Sequence, residues 1–582
     1  MWQQIKPYWK ALPDIYIYQL ITKPLIGIWI YLFGRITQTL LKSTGRVAVT
    51  SGDFLFLFKT WRGYAILILG LASLFIYIAF DINSKIVLSK KLVTGEKSSV
   101  WKNMDEGFRS IKGLLSLRGL LIALYIALIA PLLGFGVSVS MTEGLYIPTF
   151  IASVIADTPL YLILTSFVML VFLSVGVANL FILHGIVIDK MSAKEAGEQS
   201  GKLMHENWQD YLKQNILFLI VIVAAIGIVV AISLILPMII VSILPLSDGI
   251  RRVVTIFFIL LGCIISLLAS LLTTPLYLMK MTQLYYSYKN GEPQPYAKRE
   301  TRRHPFILAG AAATIVLLIV ATAGMNSNFD TLFPAEKETK IIAHRGGGNE
   351  APENTVAGIE TAYELGAYGS EIDIQRTKDG AYVILHDGNF ERVAGDKRKP
   401  EEMTLKQIQK LSVDGEPIPT FEDALAASKG KIVLFTELKG KTADKKMADY
   451  AVKRIKENHM EEGCVLISLN YELIGYIETK YPEIQTGFLL FASFGATDRL
   501  HCDYLGLEEE SVTENAISAA HDQNKKMLVW TPNEKSTQKH FLCSNADGLI
   551  TDNVAQAAKI QQELKQRTDL ERMVDAIMTI IS

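Results

Sequence analysis

Lys340-Ile-Ile-Ala-His344-Arg345 and Ala381-Tyr-Val-Ile-Leu-His386-Asp387 share one design: a short apolar run that stops on a histidine and a charged side chain. Reactive residue types end other runs in the same way. Glu371 and Asp373 lie in a second run, Glu437 and Lys439 follow Ile432-Val-Leu-Phe435, and Trp530 follows Met527-Leu-Val529. Candidate strands of this kind fall at 340–343, 370–374, 382–385, 431–437, 464–468, 485–490, 503–507, 526–531 and 547–550. Amphipathic helical patterns lie between several of them, at 354–365, 420–428, 442–457 and 511–523. This alternation predicts an α/β domain with a parallel sheet. A doubly wound sheet and a (β/α)₈ TIM barrel both fit it. The position of the reactive side chains decides for the barrel, where all the C-terminal strand ends converge on one mouth. Nine candidate strands for eight places predict one extra hairpin strand.

The spacing of these residues carries the chemistry. Glu371 and Asp373 stand at i and i+2, so on a strand both carboxylates face the same side. Glu437 from another strand adds a third hard oxygen donor. The chain has no CxxC pair and no HExxH, so this set suits Mg²⁺ or Ca²⁺ better than zinc. Arg345 and Lys439 beside such a cation suit a phosphate oxyanion. His344 and His386 can each give or take a proton near neutral pH. Together these features predict phosphodiester cleavage at a divalent metal. Singly, a histidine after a strand is an ordinary loop residue, and a Glu-x-Asp pair is an ordinary solvated strand face. Their joint occurrence at successive strand ends marks the set. His459, His501, His521 and His540 fall in helical or loop contexts and are expected to be structural. Gly346-Gly347-Gly348 lacks the spacing of a nucleotide loop and predicts a tight turn.

Upstream of residue 340 the chain is of another kind. Half of its 582 residues are hydrophobic, too many residues for one core, and apolar stretches of membrane-spanning length fill the first 325 positions. Spans are expected near 64–80, 119–138, 159–188, 215–245, 253–279 and 306–324, with 17–33 a weaker candidate because Lys23 interrupts it. Pro237 and Pro245 predict a kink or an end within 215–245. Met1–Arg46 is polar and basic throughout with no small-residue cleavage site, so no cleavable signal is expected.

Loop 280–305 holds six Lys and Arg, against two in 325–340, which places the last span leading outward and the following domain outside the cell membrane. Segments 81–118 and 189–214 are basic and 139–158 is not, in keeping with this alternation. Region 34–63 breaks it, so the first candidate is read as re-entrant or interfacial. Ile86-Val-Leu-Ser-Lys90 and Ile186-Val-Ile-Asp-Lys190 hint at an internal repeat. Each leads into a stretch predicted as an amphipathic helix on the inner surface: one with Val100, Met104, Phe108, Ile111 and Leu114, the other with Leu203, Trp208, Tyr211 and Leu212. Charges inside the spans are nearly absent, which favours an anchor or lipid-facing scaffold over an ion-coupled carrier.

The expected organisation is an all-α polytopic membrane domain over 1–325, a linker over 326–339, a barrel over 340–565 and an amphipathic helix over 566–582 that packs on the barrel. The 58 basic and 58 acidic residues give no support for nucleic-acid binding. Cys263, Cys464, Cys502 and Cys543 read as scattered thiols.

Ala343-His-Arg-Gly346, Ala351-Pro-Glu-Asn-Thr355, Glu371-Ile-Asp373, Thr377-Lys-Asp-Gly380 and His386-Asp387 resemble, in that order, the glycerophosphodiester phosphodiesterase family. Glu416-Pro-Ile-Pro-Thr420, Glu437-Leu-Lys439, Trp530-Thr-Pro-Asn533 and Asp547-Gly-Leu-Ile-Thr-Asp552 continue the match, which covers about 340–560. The N-terminal part resembles the membrane domain of some bacterial members. The resemblance implies a TIM barrel that hydrolyses glycerophosphodiesters to sn-glycerol 3-phosphate and an alcohol. It implies His344 and His386 as the acid/base pair and Glu371, Asp373 and Glu437 as metal ligands. Arg345 and Lys439 would bind phosphate, and Trp530 would contribute to the substrate site. Glu353 is expected to belong to the cap of the following helix, with Asn354 or Thr355 at its start. Ser468-Leu-Asn470 and the basic segment after His386 depart from the family pattern and bear on the alcohol side. Tethering points to membrane lipids and lipid-derived head groups or glycerol-phosphate polymers as candidate substrates. The alternatives are phospholipase D-like lipid cleavage, or a lipid transporter or scaffold with a binding-only barrel.

Overall fold

The computed structural model describes the chain except residues 1, 45–47, 51–56, 127–151, 153–154, 157, 292–305, 336, 491–492, 496–499 and 582. Two compact units form, residues 1–40 with 60–328 and residues 41–59 with 329–582.

The second unit is a closed barrel. Its strands are β1 (Lys340–Ala343), β2 (Gly369–Arg376), β3 (Val433–Leu438), β4 (Cys464–Ser468), β5 (Thr486–Leu490), β6 (Tyr504–Glu508), β7 (Lys526–Trp530) and β8 (Gly548–Thr551). All neighbours are parallel, and β1 closes the ring by pairing with both β8 and β2. The ninth candidate strand, Tyr382–Ile384, is the extra one and pairs antiparallel with β2. Ile342, Phe435, Val465, Ile467, Leu489, Tyr504, Leu528 and Ile550 fill the interior. Interior glycines make room for them: a Cβ on Gly369 would lie 2.7 Å from the Phe435 ring, and one on Gly548 2.5 Å from Leu528. A larger cluster packs the outer face of the strands against the helices. Thr355, Thr420, Asp444, Asn470 and Thr513 cap the helices that follow the strand ends, each accepting a backbone N–H bond. The four cysteines are free thiols.

The C-terminal helix, Asp569–Ile581, lies against the helix Lys535–Cys543. Asp575 pairs with Lys539 and Arg567, and the Arg572 guanidinium lies 2.8 Å from Asp330 in the segment that enters the barrel. Within the same unit, Ala48–Thr50 pairs antiparallel with Ser493–Gly495.

The first unit is helical. Among the described residues, five helices are long and apolar enough to cross a membrane: Lys10–Lys42, Trp61–Thr94, Pro159–Ile188, Ala193–Val241 and Asp248–Asn290. Phe306–Ser327 is a further apolar helix. Most of the expected 119–138 span lies outside the described residues, which include its first helix, Leu117–Leu124. The weak 17–33 candidate is part of a continuous 41-residue helix, not an interruption. Residues 231–235 form a π-turn just before Pro237, and the helix stops at Ile243 ahead of Pro245.

Two expectations are corrected here. The helix that begins at Trp61 does not stop at residue 80 but runs through a π-turn at Ile78–Asn83, and it carries a buried ion pair, Lys85 to Asp81 at 2.7 Å. Charge is therefore present within this apolar helix, because the partners neutralise each other one turn apart. The stretch after Lys190 is not a separate amphipathic helix either. Ala193–Val230 is unbroken, since no proline interrupts it. The first stretch does form its own helix, Val100–Arg109, after Gly95 ends the preceding helix in a left-handed conformation. That helix turns Asn103 and Gly107 inward and leaves Trp101 and Phe108 exposed.

Candidate active site

β1 ends where the chain must turn back across the barrel mouth. Gly346 (φ +93°) and Gly348 (φ +66°) make that turn. A Cβ on Gly348 would sit 2.3 Å from the Asp552 carbonyl oxygen, so the predicted tight turn also needs glycine for space. The turn sets the His344 backbone N–H on Thr551 and the Arg345 N–H on the Glu371 carboxylate, at 3.0 and 2.9 Å.

Parallel pairing of β2 with β3 places Asp373 directly opposite Glu437. With Glu371 they form a buried group whose donor atoms lie within 4.8 Å of one another. Lys439 reaches into it, with Nζ 2.9 Å from Asp373 and 3.1 Å from Glu437. Burial, and then the charges of Asp373 and Glu437, hold the Glu371 carboxyl well above the usual carboxylate range. Burial also raises Glu437, to about 7, although Lys439 opposes the shift. Asp373 goes the other way, because Lys439 and His386 outweigh its burial. Lys439 is held above the ordinary lysine range: burial lowers it, but the three carboxylates prevail. Three hard oxygen donors with one ammonium among them are an under-neutralised set. It fits a divalent cation such as Mg²⁺ or Ca²⁺.

Both histidines are oriented by carboxylates. His344 Nδ1 lies 2.7 Å from Asp552, whose other oxygen accepts from Asn533 at 2.6 Å. Its Nε2 looks toward Glu371 at 4.0 Å. His386 Nδ1 lies 2.9 Å from Asp387, and its Nε2 accepts from the Arg345 guanidinium at 3.0 Å. With Nδ1–H on a carboxylate, each ring keeps Nε2 as its working atom. Burial pulls the His386 pKa below the usual histidine value, against the charge of Asp373.

A second layer was not read from sequence. Asn354, in the left-handed region (φ 55°), donates to Asp373 at 3.0 Å and accepts its backbone N–H at 3.2 Å. Arg392 spans Glu353 at 2.6 Å and Asp387 at 2.7 Å. Thr355 caps the following helix, as one of the two expected starts. Glu353 takes no part in that cap and pairs instead with Arg392 and with Arg345, the latter at 3.4 Å. Asp552 could have been found: it ends the run Gly548–Thr551, by the strand-end rule that picked out the histidines. Arg392 had no such signal. Trp530 ends β7 against the interior cluster, its ring N–H buried without a partner among the described residues. Leu469, in the departing Ser468-Leu-Asn470, is exposed, and Asn470 caps the next helix.

Family models match both parts of the chain. A family model described as "Glycerophosphoryl diester phosphodiesterase family" matches residues 344–556. One described as "Membrane domain of glycerophosphoryl diester phosphodiesterase" matches residues 1–323. The glycerophosphodiester phosphodiesterase of Caldanaerobacter subterraneus is 28% identical over 230 residues, 37% of this chain and 95% of that protein. Human glycerophosphodiester phosphodiesterase 1 is 35% identical over 131 residues, 21% of this chain and 38% of its own length. Among solved structures, an Oleispira antarctica phosphodiesterase in complex with the product sn-glycerol-3-phosphate is 22% identical, with a TM-score of 0.35, covering 38% of this chain and 96% of that one.

Proposed function

We propose that this chain, which belongs to the glycerophosphoryl diester phosphodiesterase family and carries that family's membrane domain, hydrolyses glycerophosphodiesters to sn-glycerol 3-phosphate and an alcohol. The observation that carries the reading is the meeting of three buried carboxylates within 4.8 Å, with a carboxylate-oriented histidine on either side. Glu371, Asp373 and Glu437 would hold a divalent cation, which when bound supplies positive charge for the phosphate oxygens. Arg345 and Lys439 bind and orient the phosphate. One imidazole Nε2 takes the proton of the attacking hydroxyl, and the other returns a proton to the leaving alcohol oxygen. Asp552 and Asp387 keep Nδ1–H on each ring, so that the neutral ring accepts at Nε2 and the ring that starts as imidazolium donates from it. Trp530 lines the substrate side of the mouth.

Residues 1–325 anchor the enzyme in the cell membrane, 326–339 link, 340–565 form the catalytic barrel outside the cytoplasm, and 566–582 close its surface. The excess of Lys and Arg in 280–305 over 325–340 supports this direction. The association of residues 41–59 with the catalytic unit also supports it, and favours Lys10–Lys42 as a full span despite the basic residues that follow. A tethered enzyme of this kind suits diesters held in membrane lipids or glycerol-phosphate polymers. Activity confined to soluble diesters would remove that substrate assignment.

The test is release of glycerol 3-phosphate from glycerophosphoglycerol, glycerophosphocholine and glycerophosphoethanolamine by the full-length protein in detergent or lipid. The arms are Mg²⁺, Ca²⁺, chelator, His344→Ala and Glu371→Ala. Metal-dependent release lost in both variants is expected. Turnover unaffected by either substitution would overturn the reading.

A further inference from the structure

In the first unit, the short helical turn Ser110–Leu114 and the loop after the helix Ile182–Ile188 face each other across a cleft of about 580 Å³. Lys112, Arg118, Lys190 and Lys194 line it. Among the described residues Lys112 and Lys190 have no carboxylate partner. Arg118 has only Glu198, 3.9 Å away. Glu195, the nearest acidic neighbour of Lys194, is turned onto Ser192, where it accepts the backbone N–H at 2.9 Å and the hydroxyl at 2.8 Å. Four cations thus share one cleft with a single loosely held carboxylate. That excess calls for an anion.

The walls are held close by design. A Cβ on Gly113 would lie 2.7 Å from Ile186 and 3.0 Å from the Met191 carbonyl, so only glycine lets the two segments approach this far. Lys190 stands in the left-handed region at φ 61°, where glycine would sit without strain. A lysine there bears a backbone cost that glycine would not. It is also the last residue of Ile186-Val-Ile-Asp-Lys190, the second copy of the repeat, which the barrel chemistry does not use.

The lip of the cleft is apolar. Leu115 and Leu117 are 67% and 75% exposed. Trp101 and Phe108 are exposed on the helix that leads into the cleft wall. A soluble anion site has no use for such a rim. A lipid site needs one, since cations meet a headgroup while the acyl chains require apolar contact. The cleft also lies at the ends of two apolar runs, at the start of Leu117–Leu124 and beyond the end of Pro159–Ile188, where headgroups are found.

We propose that this cleft binds the headgroup of an anionic phospholipid, its phosphate among Lys112, Arg118, Lys190 and Lys194 and its chains against Leu115 and Leu117. This inference rests on the first unit being embedded in a bilayer, but not on the catalytic reading. Lipid retention and turnover are read separately.

The experiment uses the full-length protein, delipidated in a neutral detergent and titrated with phosphatidylglycerol or phosphatidylcholine, with bound lipid counted by native mass spectrometry. Wild type should prefer the anionic lipid at least tenfold. At roughly fivefold for each basic residue, K112Q/K190Q/K194Q should weaken it by on the order of 100-fold. K202Q/K213Q, which removes two lysines of the same long helix outside the cleft, should change it less than about twofold. The preference of the wild type should collapse as salt rises, a readout that needs no variant. Three results would each overturn the proposal: equal retention of both lipids, a preference insensitive to salt, or displacement of the lipid by inorganic phosphate at comparable concentration.

Discussion

Asp552→Asn tests the site at its least visible joint. Asn533 is fixed: its side-chain oxygen accepts from the Asp552 backbone N–H at 2.9 Å and from the Thr551 hydroxyl at 3.1 Å. Its amide NH₂ must therefore face residue 552, where it now meets a carboxylate oxygen at 2.6 Å. An asparagine at 552 has one acceptor, and Asn533 claims it. The new NH₂ then points at His344 Nδ1, which must give up its proton and become the acceptor. The neutral ring carries its hydrogen on Nε2 instead, and loses the lone pair the chemistry needs. A second proton on the ring would meet a donor rather than a carboxylate, so the cationic form is disfavoured as well. General acid–base participation contributes about 10²–10⁴-fold, so kcat should fall by about 10³-fold, ~4 kcal/mol, with KM changed by no more than about threefold. The assay is glycerol 3-phosphate release by the full-length protein, with thermal unfolding as a control. Asn533→Asp combined with Asp552→Asn turns the new amide toward residue 533 and its oxygen toward His344, so the double variant should recover part of the loss. A single variant that turns over within about threefold of wild type would refute the tautomer argument.

Divalent metal should stabilise the full-length protein by about 2.7 kcal/mol at a hundredfold excess over Kd, read as a rise in unfolding temperature, and Glu371→Gln with Glu437→Gln should remove that rise. A rise retained in the double variant would place the ion elsewhere. Asn354→Ala loses a bond to a charged group and puts alanine at φ 55°, which together should cost about 2–4 kcal/mol in chemical denaturation; Asn354→Gly should recover only the backbone part. Asp387 is held at about 2, since Arg392 and His386 outweigh its burial. A lowered carboxylate contributes stability that is present above its ordinary value near 4 and lost as pH falls toward 2. Arg392→Met should flatten stability across that window, lowering it at pH 7 by no more than about 1 kcal/mol for so accessible a pair and leaving it unchanged near pH 2. Burial, then Lys439 and Arg345, lower the His386 pKa, so the acidic limb of kcat/KM should lie below the usual histidine value, and Arg345→Met should move it to higher pH. A limb that stays in place or moves down would contradict the contact between Arg345 and His386.

The barrel was legible because the strands that carry His344, Glu371 and Asp373, Glu437 and Asp552 end on reactive polar side chains, and a parallel barrel gathers those ends. Glu371 and Asp373 were legible as a pair because a strand puts i and i+2 on one face. What linked them to their supports was not. His344 and Asp552 are 208 residues apart and meet only because β1 closes against β8. Arg392 sits in the short helix Glu391–Ala394, where its sequence context resembles any solvated turn, and only the fold shows its two carboxylate partners. Glu353 read as a capping residue because proline and a helix start surround it, yet Thr355 holds the cap and frees Glu353 to face the arginines. In the first unit, hydropathy ends the second span near residue 80 because Asp81 and Lys85 are charged. The helix continues because those charges satisfy one another across one turn.

The site's charge balance links substrate and metal. Glu371, Asp373 and Glu437 could carry three negative charges against the one of Lys439, while Arg345 is directed at His386 and Glu353. Without a cation, burial and then this crowding favour protonation, and Glu371 stands high and Glu437 near 7. A phosphate monoanion approaching that group meets like charge in a buried setting, where repulsion is poorly screened. A dication reverses the sign of the interaction, so anion and metal should bind cooperatively. The affinity for sn-glycerol 3-phosphate, measured by calorimetry, should fall at least tenfold on chelation. By thermodynamic reciprocity, the product should tighten metal binding by the same factor. Asp373→Asn removes one negative charge and should make the chelated protein bind the product better than chelated wild type, even as it weakens the metal. If chelation left product affinity unchanged in wild type, phosphate would be held by Arg345 and Lys439 alone, and the three carboxylates would need another explanation.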